Sequence, residues 1–60
     1  MFVELNARRD ADHTVSLEWD PDTGTTQIVI AEIGTACMVA FPVGSAKAAH
    51  AFRHPFWHLP

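Results

Sequence analysis

The sequence has few of the residues that cross-link small proteins or bind phosphate. Its sixty residues include one cysteine and three glycines. Cys37 has no partner for a disulfide within the chain, so no disulfide framework is expected, and a lone cysteine fits a reducing compartment. The glycines are scattered singly, which excludes a glycine-rich phosphate loop.

Basic residues are also scarce. Four lysine or arginine residues stand against seven aspartate or glutamate residues, and the net charge is -3. Nucleic-acid affinity depends mainly on phosphate neutralisation by basic groups. Arg8, Arg9, Lys47 and Arg53 form no continuous basic stripe, so binding of nucleic acid by the chain on its own is not expected.

Long apolar runs are absent. The longest, residues 36–41, is far too short to span a bilayer, and the start of the chain does not have the pattern of a secretory signal. We therefore expect no membrane association and a cytoplasmic location, or a virion-associated one.

The composition predicts one small globular domain, residues 1–60. Hydrophobic residues make up 48% of the chain and charged residues 18%, which is too apolar for a disordered tail. A domain this small buries only about 60% of the surface that its unfolded chain exposes. Such a core is marginal, so assembly into a homo-oligomer or a larger protein complex is the expected source of further stability.

Four segments have the pattern of strands, near residues 2–8, 14–19, 25–32 and 35–41. In the first, alternation places Met1, Val3, Leu5 and Ala7 on one face. The second alternates most cleanly, with Val15, Leu17 and Trp19 on one face. The third is apolar on both faces, and the fourth follows Gly34 and is expected to bury Cys37 as a small core residue.

The segment between the second and third strands has two possible interpretations. Asp20, Asp22 and Gly24 resemble the opening of a calcium-binding loop, but that loop needs glycine at position six and glutamate at position twelve. Here Gly24 is at position five and Ala31 at position twelve. Pro21 suits the first central position of a turn, so the segment predicts a β-hairpin.

A helix is predicted near residues 45–54, with Ser45 as its N-cap and Pro55 ending it. Its periodicity places one group of residues toward the sheet and another toward solvent. The inward group is Ala48, Ala49, Phe52 and Phe56, and the outward group is Lys47, His50, Arg53 and His54. With the irregular aromatic tail 55–60, this predicts an α+β fold: a small antiparallel β-meander of three to four strands with one C-terminal helix packed on one face.

Three histidines recur at four-residue intervals: His50, His54 and His58. Histidines at this spacing on a helix can bind zinc, but Pro55 is expected to break their alignment, and no cysteine or carboxylate lies nearby in sequence. We therefore expect no metal site. A zinc-binding mini-domain, which chelation would unfold, and a pH-dependent surface remain as alternatives.

No enzymatic activity and no cofactor are expected. Cys37 and the histidines supply the residue types of a nucleophilic site, but no activating motif surrounds Cys37. Sixty residues also leave little room for a walled substrate pocket.

The remaining candidate for function is an interface at the C-terminal end. Its predicted residues are Phe52, Phe56, Trp57, Leu59, His50 and His54. The aromatic residues either complete the small core or anchor a partner, since aromatic side chains carry much of the binding energy of interfaces. The sequence leaves both roles open for Trp57.

The function expected is that of a non-enzymatic small interaction protein, acting as a homo-oligomer or within a larger protein assembly. The alternative is a small regulatory module, antitoxin-like or of the transcription-cofactor type, that contacts nucleic acid or a protein target as a dimer. That alternative requires dimerisation to bring Arg8, Arg9 and Arg53 together into one basic surface.

The hairpin segment WDPDTG and the helix end AFRHPF resemble, in style and composition, segments of small actinobacterial and actinophage proteins. The resemblance implies no activity. It implies a virion component or a host-modulating phage protein as the biological setting.

Overall fold

The computed structural model describes residues 1–59, and these form one antiparallel sheet covered on one face by a short helix. The strands follow each other in the sheet in chain order, which makes the sheet a meander. This confirms the predicted α+β fold with four strands. The elements are β1 (Val3–Arg9), β2 (His13–Trp19), β3 (Thr26–Glu32), β4 (Met38–Val43), a first 3₁₀ turn (Ser45–Lys47), α1 (Ala48–Arg53) and a second 3₁₀ turn (Pro55–Trp57).

The two central strands supply three of the five residues of the buried core. Val15 of β2 lies opposite Ile30 of β3, and Ile28 of β3 lies opposite Phe41 of β4. These side chains share one face because residues directly opposite across an antiparallel pair point the same way. Val15 and Ile28 are fully buried, and burying a side chain of this size contributes about 1.5–3 kcal/mol.

The hairpin between β2 and β3 has the predicted geometry. The backbone N–H of Gly24 donates to the carbonyl of Asp20 at 2.7 Å, and the N–H of Asp20 donates to the carbonyl of Thr25 at 2.8 Å. Gly24 adopts a φ of +73°, in the left-handed region that glycine enters without steric penalty. The segment is therefore a turn that is closed by hydrogen bonds between its own backbone groups.

The turn before β4 is longer than the sequence pattern indicates. Gly34 has a φ of +85°, and the N–H of Cys37 donates to the hydroxyl of Thr35 at 3.1 Å. These two features extend the turn through Cys37, so β4 begins at Met38 rather than near residue 35. Cys37 is consequently exposed and is not the core residue that the pattern predicts.

A β-bulge changes which residues of β1 share a face. Val3 lies opposite Trp19, but the register shifts between Glu4 and Asn6, and Ala7 then lies opposite Ser16. One extra residue reverses the alternation. The predicted single face of Met1, Val3, Leu5 and Ala7 is therefore wrong, since Val3 and Ala7 point to opposite faces of the sheet.

The helical segment starts and packs differently from the prediction. Ser45 does not cap it: the first 3₁₀ turn begins after Gly44, with no side-chain hydrogen bond. Ala49 and Phe56 are exposed. The inward-facing positions are instead Ala48, Ala51, Phe52 and Pro55, which follow the i, i+3, i+4, i+7 pattern of one helix face. Ala51 is fully buried, because its small side chain lets the helix backbone approach the sheet closely.

Candidate interaction surface

Helix α1 is too short to cover the sheet. It has six residues, which corresponds to a length of about 9 Å, whereas the outer strands of a four-stranded sheet lie about 14 Å apart. The helix packs against β2 and β3. Val39 of β4 lies opposite Ile30 on the helix-covered face, yet Val39 is 47% exposed while Ile30 is 5% exposed.

The C-terminal segment turns back over the end of the sheet and borders the same uncovered region. Pro55 is buried, and the ring of Phe56 meets the ring of His13 edge-on, with centroids 5.5 Å apart. A shallow groove of about 120 Å³ follows, lined in part by Phe56, Leu59, Met38 and Val39. We call these four residues the β4 surface.

The strand that carries the β4 surface is a sheet edge with little protection. β4 is an outer strand, and its sequence, MVAFPV, contains no charged residue. The opposite edge, β1, contains Glu4, Arg8 and Arg9 and is bent by the bulge. Charges and bulges are the usual means by which an edge strand avoids pairing with another chain, and β4 has only Pro42, which removes one N–H donor.

Large apolar side chains are exposed more often than they are buried. In the described chain, the buried core residues are Val15, Ile28, Ile30, Phe41 and Ala51, and Pro55 is buried beside them. The exposed large ones are Met1, Phe2, Val3, Leu5, Trp19, Met38, Val39, Phe56, Trp57 and Leu59. Contiguous apolar patches on a small protein mark sites of association, and those beside β4 adjoin an open strand edge.

The structure divides the predicted interface residues into three groups. Phe52 is half-buried against the core, and Phe56 and Leu59 belong to the β4 surface. Trp57 is 78% exposed, so it lies at the surface and not in the core. His50 and His54, also exposed, lie beside Trp57 on the outer side of α1.

Val39 is part of this surface but was not among the residues that the sequence pattern singled out. Its exposure depends on where α1 lies, and no local pattern specifies that position. Met38 points to the opposite face of the sheet, which α1 does not cover. The signal available was the absence of charge from a strand that follows the last turn of a meander.

Arg8 joins the helix to the sheet through a contact that no sequence pattern predicts. Its Nε donates to the carbonyl of Phe52 at 3.1 Å, and its Nη2 donates to the carbonyl of Arg53 at 3.2 Å. These carbonyls belong to the last turn of α1, where a positive charge is favourable. The guanidinium also lies 5.7 Å from the centre of the Phe52 ring, and Asp10 accepts two hydrogen bonds from Nη1 at 2.8 and 2.9 Å.

The predicted histidine series comes together in space despite Pro55. The α-helix does end at Arg53, but the second 3₁₀ turn returns the chain toward it. As a result, His50 Nδ1 and His58 Nε2 lie 2.8 Å apart, and the ring centroids of His50 and His54 lie 4.9 Å apart. Pro55 therefore ends the α-helix as predicted, but it does not keep His58 away from His50.

The same histidines surround Trp57. Its ring lies 5.5 Å from that of His50 and 5.6 Å from that of His54. We call His50, His54, Trp57 and His58 the histidine cluster. Within residues 1–59, no group of three or more histidine, cysteine, aspartate or glutamate side chains is arranged to hold a metal ion.

The carboxylate of Asp20 stabilises the hairpin between β2 and β3. Its Oδ1 accepts the backbone N–H of Asp22 at 2.9 Å and lies 3.3 Å from the amino group of Met1. The Asp22 N–H, reinforced by that amino group, holds the pKa of Asp20 below its ordinary value, although burial acts in the opposite direction. Hydrogen bonds and positive charge favour the ionised form of a carboxyl group.

Comparisons with known proteins provide no further assignment. No family model, curated protein or solved structure matches this chain. In the part of the chain that the structure describes, no helix has the length and apolar character needed to cross a bilayer.

Proposed function

We propose that this chain is a non-enzymatic interaction protein that acts as a homodimer, and that two copies join along β4. The single observation that carries this proposal is the β4 surface: Met38, Val39, Phe56 and Leu59 are 67%, 47%, 55% and 40% exposed, beside a strand edge without charge. In the dimer, the second copy covers the exposed apolar side chains of the β4 surface, and its own β4 pairs with the free strand edge.

The backbone of β4 supports pairing along its first half. Pro42 lies opposite Gln27, and a proline in an edge strand directs its donor-less nitrogen away from the sheet. Because alternate residues of a strand share that direction, the N–H groups of Met38 and Ala40 also face outward. A two-fold axis at Val39 pairs Met38 of one copy with Ala40 of the other and avoids Pro42.

Such pairing joins the two four-stranded sheets into one of eight strands. Met38 and Val39 point to opposite faces, since they lie opposite Ala31 and Ile30. The region where the two β4 strands pair therefore has apolar side chains on both faces of the sheet. Phe56 and Leu59 extend this apolar region on the helix side. A C2 interface of this kind uses the same patch on both copies and closes without forming a filament.

The regulatory alternative receives less support from the same contacts. It requires Arg8, Arg9 and Arg53 to present a combined basic surface. Arg8, however, is occupied by Asp10 and by the end of α1. The setting we propose for the homodimer is the cytoplasm or a virion, on the basis of the lone cysteine and the resemblance to actinophage sequences.

The dimer proposal is tested by placing a charge on each edge in turn. Val39→Lys puts an ammonium group at the centre of the proposed joint, and we expect the dimer dissociation constant, measured by sedimentation equilibrium, to rise at least 100-fold. The matched control is Leu5→Lys, which changes a residue 56% exposed on the opposite edge and should shift that constant less than threefold. Circular dichroism checks that both variants keep their strand content.

Two results would contradict the proposal. If Val39→Lys sediments like the unaltered chain, the interface does not include β4. If Leu5→Lys is the variant that dissociates, association occurs through β1.

A further inference from the structure

The histidine cluster brings two ring nitrogens from different elements into direct contact. His50 lies in the middle of α1, and His58 follows the second 3₁₀ turn, eight residues later. His50 Nδ1 and His58 Nε2 approach to 2.8 Å. The dimer proposal uses neither residue, and His50 contributes nothing to the buried core.

The spacing of these two nitrogens matches a pair of neighbouring ligands on one metal ion. At metal–nitrogen distances of about 2.0–2.1 Å, two ligands at a right angle lie about 2.9 Å apart, and two tetrahedral ligands about 3.4 Å apart. The observed 2.8 Å fits the right angle of square-planar or octahedral coordination, which Cu²⁺ and Ni²⁺ adopt.

We propose that His50 Nδ1 and His58 Nε2 form a two-nitrogen site for a divalent transition metal ion such as Ni²⁺ or Cu²⁺, with water in the remaining positions. Imidazole is a ligand suited to these metals. His50 is exposed and His58 is half-buried, so both rings reach solvent, and a metal ion bound by the two nitrogens replaces the hydrogen bond between them.

The protons balance without a co-reactant. In the neutral pair, one of the two facing nitrogens carries a proton and donates a hydrogen bond, and the other nitrogen accepts that hydrogen bond. Metal binding requires both to be unprotonated, so that proton moves to the other nitrogen of the same ring. Each histidine then coordinates as neutral imidazole, and binding weakens in acid because protonated imidazole offers no lone pair.

Trp57 provides a built-in reporter, since its ring centroid lies 5.5 Å from that of His50. Paramagnetic Ni²⁺ quenches indole fluorescence at such distances and does not oxidise the thiol of Cys37. The experiment is a Ni²⁺ titration of the full chain carrying Trp19→Phe, so that Trp57 is the only tryptophan. We expect saturable quenching with one Ni²⁺ per chain.

Substitutions in the same background identify the ligands. His50→Gln and His58→Gln should each weaken Ni²⁺ binding at least 30-fold. His13→Gln, His54→Gln and Cys37→Ser should change it less than threefold. Circular dichroism checks that each variant is folded, and Ni²⁺ should raise the melting temperature of the parent chain but not of His58→Gln.

Equal Ni²⁺ affinity in the parent chain and the His50→Gln and His58→Gln variants would overturn the proposal. Loss of binding in His54→Gln or Cys37→Ser would overturn the assignment of the two ligands. The test is independent of the dimer, because Val39→Lys leaves the histidine cluster intact and should bind Ni²⁺ as tightly as the parent chain.

Discussion

At the scale of single residues, Arg8 contributes more to the tertiary structure than its sequence neighbourhood indicates. It is one of four basic residues in an acidic chain, and in sequence it stands beside Arg9 with nothing to distinguish the two. Only the folded chain places its guanidinium against the last carbonyls of α1, 44 and 45 residues away. A six-residue helix has little stability of its own, so this contact and the burial of Ala51 hold it in place.

Replacing Arg8 tests that role. Arg8→Ala removes hydrogen bonds from a charged donor to two helix carbonyls, and such bonds contribute about 1.5–3 kcal/mol. We expect the free energy of unfolding, measured by urea denaturation, to fall by about 1–2 kcal/mol. Arg9→Ala, at an exposed position, is the matched control and should change it by less than about 0.5 kcal/mol. Equal losses in the two variants would show that Arg8 does not hold the helix.

Asp20 makes stability sensitive to acid. Its pKa is lowered in the folded chain, so its ionised form stabilises the fold above the unfolded value near 4. That contribution is lost as the pH falls through the lower folded value. We expect the melting temperature to drop as the pH falls below about 4, and the drop to be smaller in Asp20→Asn, which keeps the side-chain acceptor but does not titrate. An unchanged acid response in Asp20→Asn would contradict this role.

At the scale of elements, local sequence patterns predicted the features that depend on neighbours in the chain. Alternation in β2 predicted the shared face of Val15, Leu17 and Trp19, of which Val15 is fully buried, and the hairpin followed from Pro21 and Gly24. The bulge in β1 and the inward position of Ala51 did not follow, because both depend on how distant elements meet. An alanine is compatible with either face of a helix, and only the approach to the sheet selects one.

The glycines offer a clean test of turn conformation. Gly24 has a φ of +73°, whereas Gly44 has a φ of −68°, and an added Cβ at either position meets no atom within 4 Å. Any difference between alanine substitutions therefore comes from the backbone. We expect Gly24→Ala to lower the free energy of unfolding by about 1–2 kcal/mol and Gly44→Ala to leave it unchanged or slightly raised. Thermal denaturation of both variants checks this, and equal effects would contradict the turn assignment.

At the scale of the whole molecule, the candidate surfaces were only partly accessible from sequence. The sequence predicted the aromatic tail as a candidate interface, and the structure puts Phe56 and Leu59 on the β4 surface. Val39 was missed because its exposure results from the shortness of α1. The contact between His58 and His50 was not predicted. Pro55 ends the α-helix, but the second 3₁₀ turn then brings the chain back toward it.

The small core leaves apolar side chains exposed beside β4, and we propose that the chain associates through them. The most direct test is the solution mass of the purified, unaltered chain by light scattering over a range of concentrations. We expect a species of twice the chain mass of 6.6 kDa, which dissociates only on dilution. A monomer that persists at high micromolar concentration would contradict it, because the exposed residues beside β4 would then be compatible with a stable single chain.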